Sequence, residues 1–289
     1  MLEDPIKRES LFHYACLISK VGGKYTYGIN KESNKRLSED LSRYGTFENV
    51  FYSNHPKGLI SDPIYEVKNI ERVAKELERI NFESVNKNDP TFPRLLRRED
   101  TPPVLYFQGD YNMLNFPTLA FIGTRRLNSG DEIYGENLMN RILNSDRAMS
   151  CTRGFGYTII SGLALGSDTI AHRVTLQNSA RTVAVIGTPL NQKYPIENSD
   201  LQDQIAEQGL LISQYPIGFR PYKGTGFIQR NWTVANLSDN VVVLKSDDRS
   251  GTKHVMNHTQ ELGIPLFVSS LNVGQGYRWL NQLNYRVIK

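Results

Sequence analysis

A chain of 289 residues has room for one large or two ordinary domains. With 39% hydrophobic and 22% charged residues it has the balance of a soluble globular protein. No apolar run approaches the ~18 residues of a membrane span, and the acidic start Met-Leu-Glu-Asp-Pro has no apolar core, which excludes a secretory signal.

The net charge is +4, and its distribution is informative. Residues 1–110 hold 17 basic and 17 acidic side chains; the rest holds 17 basic and 13 acidic ones. The whole excess lies in the second part, where it permits an anionic ligand. Cys16 and Cys151 are far apart and form no metal or redox motif, so two free thiols in a reducing cytoplasm are expected.

In chain order, residues 8–20 and 33–44 read as helices, the second closed by Gly45. A third helix begins at Ser61-Asp62-Pro63. Ile70, Val73, Ala74, Leu77 and Ile80 give it one apolar face. Residues 1–83 therefore form a small helical domain, which reads equally as a protein-docking or small nucleic-acid-binding module or as a cap on the main domain. Residues 84–116 are punctuated by Phe92-Pro93, Thr101-Pro102-Pro103 and Phe116-Pro117, with a strand at Val104–Phe107 that ends at Gly109. This is a structured connecting segment.

From residue 117 to 270 the pattern alternates. Strand candidates are 118–122, 157–161, 182–186, 210–214, 241–244 and 265–268; helical patterns fill 130–144, 167–178, 199–208, 228–237 and 252–262. The alternation predicts an α/β domain, an extended Rossmann-like parallel sheet with helices on both faces. Ligands of such sheets bind beyond the carboxyl ends of the strands. That rule selects Gly123–Arg126, Ser161–Asp168, Gly187–Asn198 and the segment after Leu244. Residues 271–289 form a tail too short for another domain.

The usual ligand of this fold is excluded first. The turn Gly123-Thr-Arg-Arg-Leu-Asn lacks the second and third glycines of a dinucleotide fingerprint, and there is no Walker A motif. No cofactor is expected. Ser161-Gly162 lacks a nucleophile elbow. Asp168 reads as a helix cap and His172 as structural. His254 and His258 have the spacing of a zinc pair but no third ligand, and read as two histidines on a partly exposed helix face. What remains is phosphate-binding equipment. Ser161–Asp168 and Ser250–Thr252 are small-residue turns at helix starts, where backbone amides attract anions. Arg125, Arg126, Lys193, Arg230 and Arg249 stand near them, with Tyr194 and Phe227 as stacking faces. Cations interleaved with aromatics suit single-stranded nucleic acid.

Taken together these stretches resemble the DNA-processing protein A (DprA/Smf) family over residues 84–270. The resemblance runs through Asp89–Leu96, Pro102–Asp110, Ile122-Gly-Thr-Arg-Arg126, Ser161–His172, Ala184–Leu190, Tyr194-Pro-Ile-Glu-Asn198, Phe227-Ile-Gln-Arg-Asn231, Leu237-Ser238 and Ser250-Gly-Thr252. Leu41–Val50 is also similar to part of that family's N-terminal domain, of the SAM or helix-hairpin-helix kind. The resemblance implies a non-enzymatic protein that binds single-stranded DNA, dimerises through its Rossmann-like domain and loads a RecA-type recombinase during natural transformation. It places DNA contacts on Arg125, with Arg126 beside it, on Lys193 and on the pair Arg230-Asn231. The loop reading adds Gly123, Thr124, Ser161, Gly162, Tyr194, Asn198, Phe227, Ser250, Gly251 and Thr252 to the expected site. The chain departs from the family at Gln214, Lys245, Trp232, Asn236, Ser269-Ser270 and in an apparent insertion at 145–156. The family's C-terminal winged helix has no room in the tail. These departures leave open a phage, mobile-element or defence role. The rival reading is a nucleotide-binding enzyme similar to the phosphoribohydrolases, carried by Gly251-Thr252 and Glu261.

Overall fold

The computed structural model describes residues 2–18, 20–21, 24–25, 30–55, 64–145, 150, 152, 154–221, 224–247 and 250–289. It falls into two compact units. The first is Met1–Phe107 with Gly187–Gln192 and Ser213–Gly226; the second is Gln108–Ile186, Lys193–Ile212 and Phe227–Lys289.

In the first unit, α1 (Pro5–Ile18) is the hub, with every residue from Ser10 to Leu17 buried. A short antiparallel pair, β1 (Lys20–Val21) and β2 (Lys24–Tyr25), follows it. α2 (Lys31–Tyr44) starts at Asn30, whose side chain accepts from the Ser33 amide at 2.8 Å. It buries Ser33, Leu37 and Leu41 at four-residue intervals. It stops where predicted: Gly45, at φ 84°, donates its N–H to the Leu41 carbonyl. Thr46 caps α3 (Phe47–Asn54), and Phe51 of that helix meets Phe12 of α1 with ring centroids 5.9 Å apart. His13 of α1 stacks on Phe47, and its Nδ1 lies 2.8 Å from the Tyr106 hydroxyl. α4 (Ile64–Glu78) buries Val73 and Leu77 of the predicted apolar face. The predicted cap Ser61-Asp62-Pro63 lies outside the described residues.

The predicted connecting segment is divided between the units. β3 (Glu83–Asn86) and β4 (Val104–Gly109) pair antiparallel from Glu83↔Phe107 to Asn86↔Val104, so residues 83–107 belong with the helices. The ammonium of Lys87 holds the chain between these strands, donating to Ser38 Oγ, Arg98 O and Thr101 O at 2.9, 2.7 and 2.9 Å.

The second unit is the α/β domain. Its elements run β5 (Thr118–Ile122), α5 (Ser129–Asn144), β6 (Thr158–Ser161), α6 (Ser167–Gln177), β7 (Thr182–Ile186), α7 (Ser199–Gln208), β8 (Leu210–Ser213), α8 (Thr225–Asn236), β9 (Asn240–Val243), α9 (Thr252–Glu261), β10 (Leu266–Ser269) and β11 (Arg286–Ile288). The strands lie in the order β11-β10-β9-β5-β6-β7-β8. The pairs β5–β6, β6–β7, β5–β9, β9–β10 and β10–β11 are all parallel. β5 and β7 are buried at all five positions, as strands covered on both faces must be. On one face Leu138, Met139, Ile142, Ile170, Ala171 and Val174 of α5 and α6 close over Leu119, Phe121, Ile159, Val242 and Leu244. The chain then reverses direction along the sheet, so right-handed crossovers carry α9 to the other face. Asn236 of α8 meets His258 of α9 there at 2.9 Å.

β11 is an element the sequence did not announce. Trp279, 1% exposed, seats the tail, and β11 then pairs beside β10. Of the apparent insertion, residues 146–149, 151 and 153 lie outside the described residues. No helix among the described residues is long and apolar enough to cross a membrane.

Candidate nucleic-acid interface

β5 has β6 on one side and β9 on the other, although three strands separate β5 from β9 along the chain. The loops after β5 and β9 therefore diverge over the strand ends, where this architecture opens a crevice. A cleft of about 600 Å³ lies there. Its wall includes Gly123, Thr124, Arg125 and Arg126 after β5, Gly162, Ala164 and Asp168 after β6, Arg230 and Asn231 of α8, and Asp247 and Ser250–Thr252 at the start of α9. Ten of the expected site residues are thus brought together: Gly123, Thr124, Arg125, Arg126, Gly162, Arg230, Asn231, Ser250, Gly251 and Thr252.

The β5 turn is rigidly held. Thr124 donates its amide to the Lys245 carbonyl at 2.7 Å. Its own carbonyl accepts from the amide and the hydroxyl of Ser167, at 3.2 and 3.1 Å. Its hydroxyl accepts from the Arg126 amide at 3.2 Å. Gly166, at φ 74°, lets α6 begin against this turn; a Cβ there would stand 2.5 Å from the Thr124 oxygen. The result is a fixed base carrying two exposed arginines into the cleft.

Arg230 has a different setting from that of a surface cation. It is 4% exposed. Its Nη1 donates to the Val185 carbonyl at 3.2 Å and stands 3.8 Å from Asp168 Oδ2. The guanidinium lies against Gly162 so closely that a Cβ on that glycine would overlap it. Asp168 does not cap α6 in the expected way. Gly166 is the N-cap, and the Asp168 carboxylate accepts from the Ala164 amide at 3.2 Å. Burial pushes this carboxyl above its ordinary range, against the opposing pull of Arg230, the Ala164 amide, Ser161 and Arg125.

Several helix-start amides expected to face a ligand are engaged within the protein. Ala164 donates to Asp168, Ser167 to Thr124, and Thr252 to Ser250 Oγ at 3.2 Å. Turns this tight satisfy their own donors. Ser161 and Asn198 are likewise internal. Ser161 Oγ donates to the Phe121 carbonyl at 2.6 Å, and Asn198 Nδ2 donates to Leu163 O and Thr169 Oγ1 at 3.1 and 2.9 Å. These two shape the β6 loop from beneath and are absent from the cleft wall.

Lys193, Tyr194 and Phe227 are also outside that wall. Lys193 pairs with Asp203 of α7. Tyr194, 46% exposed, pairs with Phe227 at 5.0 Å between centroids. The Arg125 guanidinium lies 5.8 Å from the Phe227 centroid, which joins this aromatic pair to the cleft. Arg249 lies outside the described residues.

The remaining chemical candidates are packed. His172 is fully buried with Nδ1 2.7 Å from Thr182 Oγ1, and burial lowers its pKa to about 3. His258 is buried too, not on the partly exposed face expected: Asn236 approaches its Nε2, and Glu261 lies 3.1 Å from its Nδ1. Cys16 is a buried free thiol whose pKa burial raises, and Cys151 lies outside the described residues. Among the described residues no three His, Cys, Asp or Glu side chains are placed to hold a metal ion. Asp168 and Asp247 are the wall carboxylates that the sequence does not mark as part of the site. The carboxylate facing Arg230 is set by the fold alone and leaves no local signal. Lys245, one of the departures, has a plain role: its ammonium meets Asp131 at 2.6 Å, and Asp131 closes the capping box with Asn128 that starts α5.

Similarity to known proteins agrees with this fold. Protein Smf of Synechocystis is 32% identical over 217 residues, which cover 73% of this chain and 52% of that one. The structure of DNA processing protein A from Streptococcus pneumoniae superposes with a TM-score of 0.67 at 26% identity, over 88% of this chain and 89% of that one. That of DNA processing protein A from Helicobacter pylori gives 0.60 at 28% identity, over 71% and 91%. The chain spans about half the length of several curated relatives it matches. The sequence profile of DNA recombination-mediator protein A matches residues 83–280, and the chain belongs to that family.

Proposed function

We propose that this chain binds single-stranded DNA at the strand-tip cleft. The observation that carries the reading is the pair of exposed arginines, Arg125 and Arg126, held on a rigid turn at the switch point of the sheet beside the Phe227–Tyr194 pair. Phosphates are neutralised by the arginines, with Asn231 and Ser250 as polar neighbours, and a base stacks on the aromatic pair. The similar Helicobacter pylori protein has a single-stranded DNA binding mode, which supports the same ligand here. Phosphate contacts carry no sequence information and aromatic faces accept every base, so binding is independent of sequence. Lys193 exchanges Asp203 for a phosphate when the strand arrives.

The role is that of a recombination mediator in the cytoplasm, without catalysis. The protein works as a homodimer formed through the Rossmann-like domain and hands its DNA to a RecA-type recombinase. Arg125→Ala and Arg126→Ala are each expected to weaken binding of all single strands alike. Each lowers the slope of log affinity against log salt by about 0.7. Fluorescence anisotropy with oligothymidylate and a mixed-sequence strand, across salt, measures both quantities. Wild-type protein that prefers duplex, or an unchanged slope in both variants, overturns the reading.

A further inference from the structure

We infer that Arg230 is not a phosphate ligand but a positioning residue, which acts with Asp168 to hold the turn that presents Arg125 and Arg126. The inference rests on the proposed DNA-binding cleft and assigns a part within it.

Three observations carry it. The Arg230 guanidinium is buried, while the arginines of the β5 turn are exposed. It already faces a carboxylate, Asp168 Oδ2 at 3.8 Å, and donates to a backbone carbonyl, Val185 O at 3.2 Å. It also lies against the backbone of the β6 loop, where only a glycine at 162 leaves it space. An arginine whose charge is matched inside the protein adds little to the field a phosphate meets.

Its influence on the ligand runs through the loop it supports. Asp168 accepts from the Ala164 amide and so closes the loop Gly162–Asp168. The end of that loop, Ser167, donates twice to Thr124 O. Thr124 in turn accepts from the Arg126 amide. The chain of contacts from Arg230 to the arginine turn is continuous: an ion pair at 3.8 Å, then hydrogen bonds of 3.1 to 3.2 Å. The pair also explains how a carboxylate is tolerated in the wall of an anion-binding cleft: Arg230 neutralises Asp168 from below, while Arg125 and Arg126 face the ligand.

Removing one member of a buried ion pair strands the other, whereas removing both is often close to neutral. The test is a cycle of Arg230→Met, Asp168→Asn and the double variant, with Arg125→Ala as the phosphate-ligand control. Binding of a fluorescein-labelled oligothymidylate is followed by anisotropy across salt. Hydrogen exchange of the DNA-free proteins is read over residues 123–126 and 162–168. Arg230→Met is expected to weaken binding by roughly tenfold or more, with a salt slope equal to that of the wild type. Exchange in both segments becomes faster. The double variant recovers most of the affinity and of the protection. Asp168→Asn gives no recovery in Arg125→Ala.

A slope lowered by about 0.7 in Arg230→Met marks a phosphate ligand and overturns the inference. So do additive losses in the double variant, or unchanged exchange over 123–126. Should Arg230→Met fail to fold, Arg230→Lys decides. A phosphate ligand keeps most of its affinity with lysine, whereas the positioning role, which needs the planar fork, loses it. If the wild type binds no single strand, the functional reading fails, and hydrogen exchange still decides the positioning role.

Discussion

Gly162 shows how tightly the cleft is built at the scale of single residues. Its backbone lies on the Arg230 guanidinium, and a Cβ would occupy the same space. Gly162→Ala is expected to destabilise the protein by about 1–3 kcal/mol, the range for overpacking a close-packed site. It should also weaken DNA binding, because Arg230 and the β6 loop move together. Thermal unfolding followed by circular dichroism gives the first quantity; an unshifted midpoint would mean that Arg230 yields at no cost. The glycine was legible as part of a small-residue turn. Its reason was not, because the atom it must clear comes from a helix much later in the chain. The same holds for Asp168, read from its neighbours as a cap and found facing Arg230.

Among the elements, α1 and α6 each bury a histidine, and both lose basicity for the same cause. Burial lowers the pKa of His13 and of His172 to about 3, from an ordinary 6.5. Between these values the unfolded chain binds more protons than the folded one, so stability rises with pH across that window. It is fully present above pH 6.5 and is lost as pH falls toward about 3. In mid-window each histidine contributes a slope of at most about 1.4 kcal/mol per pH unit. Urea unfolding at several pH values across that window checks the sign. His172→Gln is expected to flatten the curve by about one proton, and an unaltered slope would refute the assignment. Element limits were legible where burial is two-sided: β5 and β7 fall where their apolar runs do, at 118–122 and 182–186. β3 and β11 escaped because Glu-Ser-Val-Asn and Arg-Val-Ile bury too little to leave an apolar run or alternation.

For the whole molecule, the proposed dimer carries a consequence of its own. Two clefts on one particle turn the second binding step into an intramolecular one. Affinity for oligothymidylate is then expected to rise steeply, by about 10²-fold or more, once the strand is long enough to occupy both clefts. A smooth increase with length, together with a monomeric mass by light scattering, would count against the dimer. The parallel sheet and ligand binding at its strand tips follow from the alternation of strands and helices, a rule of chain connectivity that needs no side-chain detail; the strand order β9-β5-β6 then decides which tips flank the cleft.

Local periodicity is written in neighbouring residues, so the sequence by itself determined the α/β alternation, the strand tips, the Gly-Thr-Arg-Arg turn and the family. Which charges reach solvent depends on what packs over them. Only the tertiary structure decided that Arg125 and Arg126 face the cleft, that Arg230 turns inward to Asp168, that Lys193 meets Asp203, and that the amides of Ala164, Ser167 and Thr252 donate within the protein. The physical reason is that burial and pairing join residues from separate crossovers. Their distance in space is set by the packing of the sheet and not by their separation along the chain.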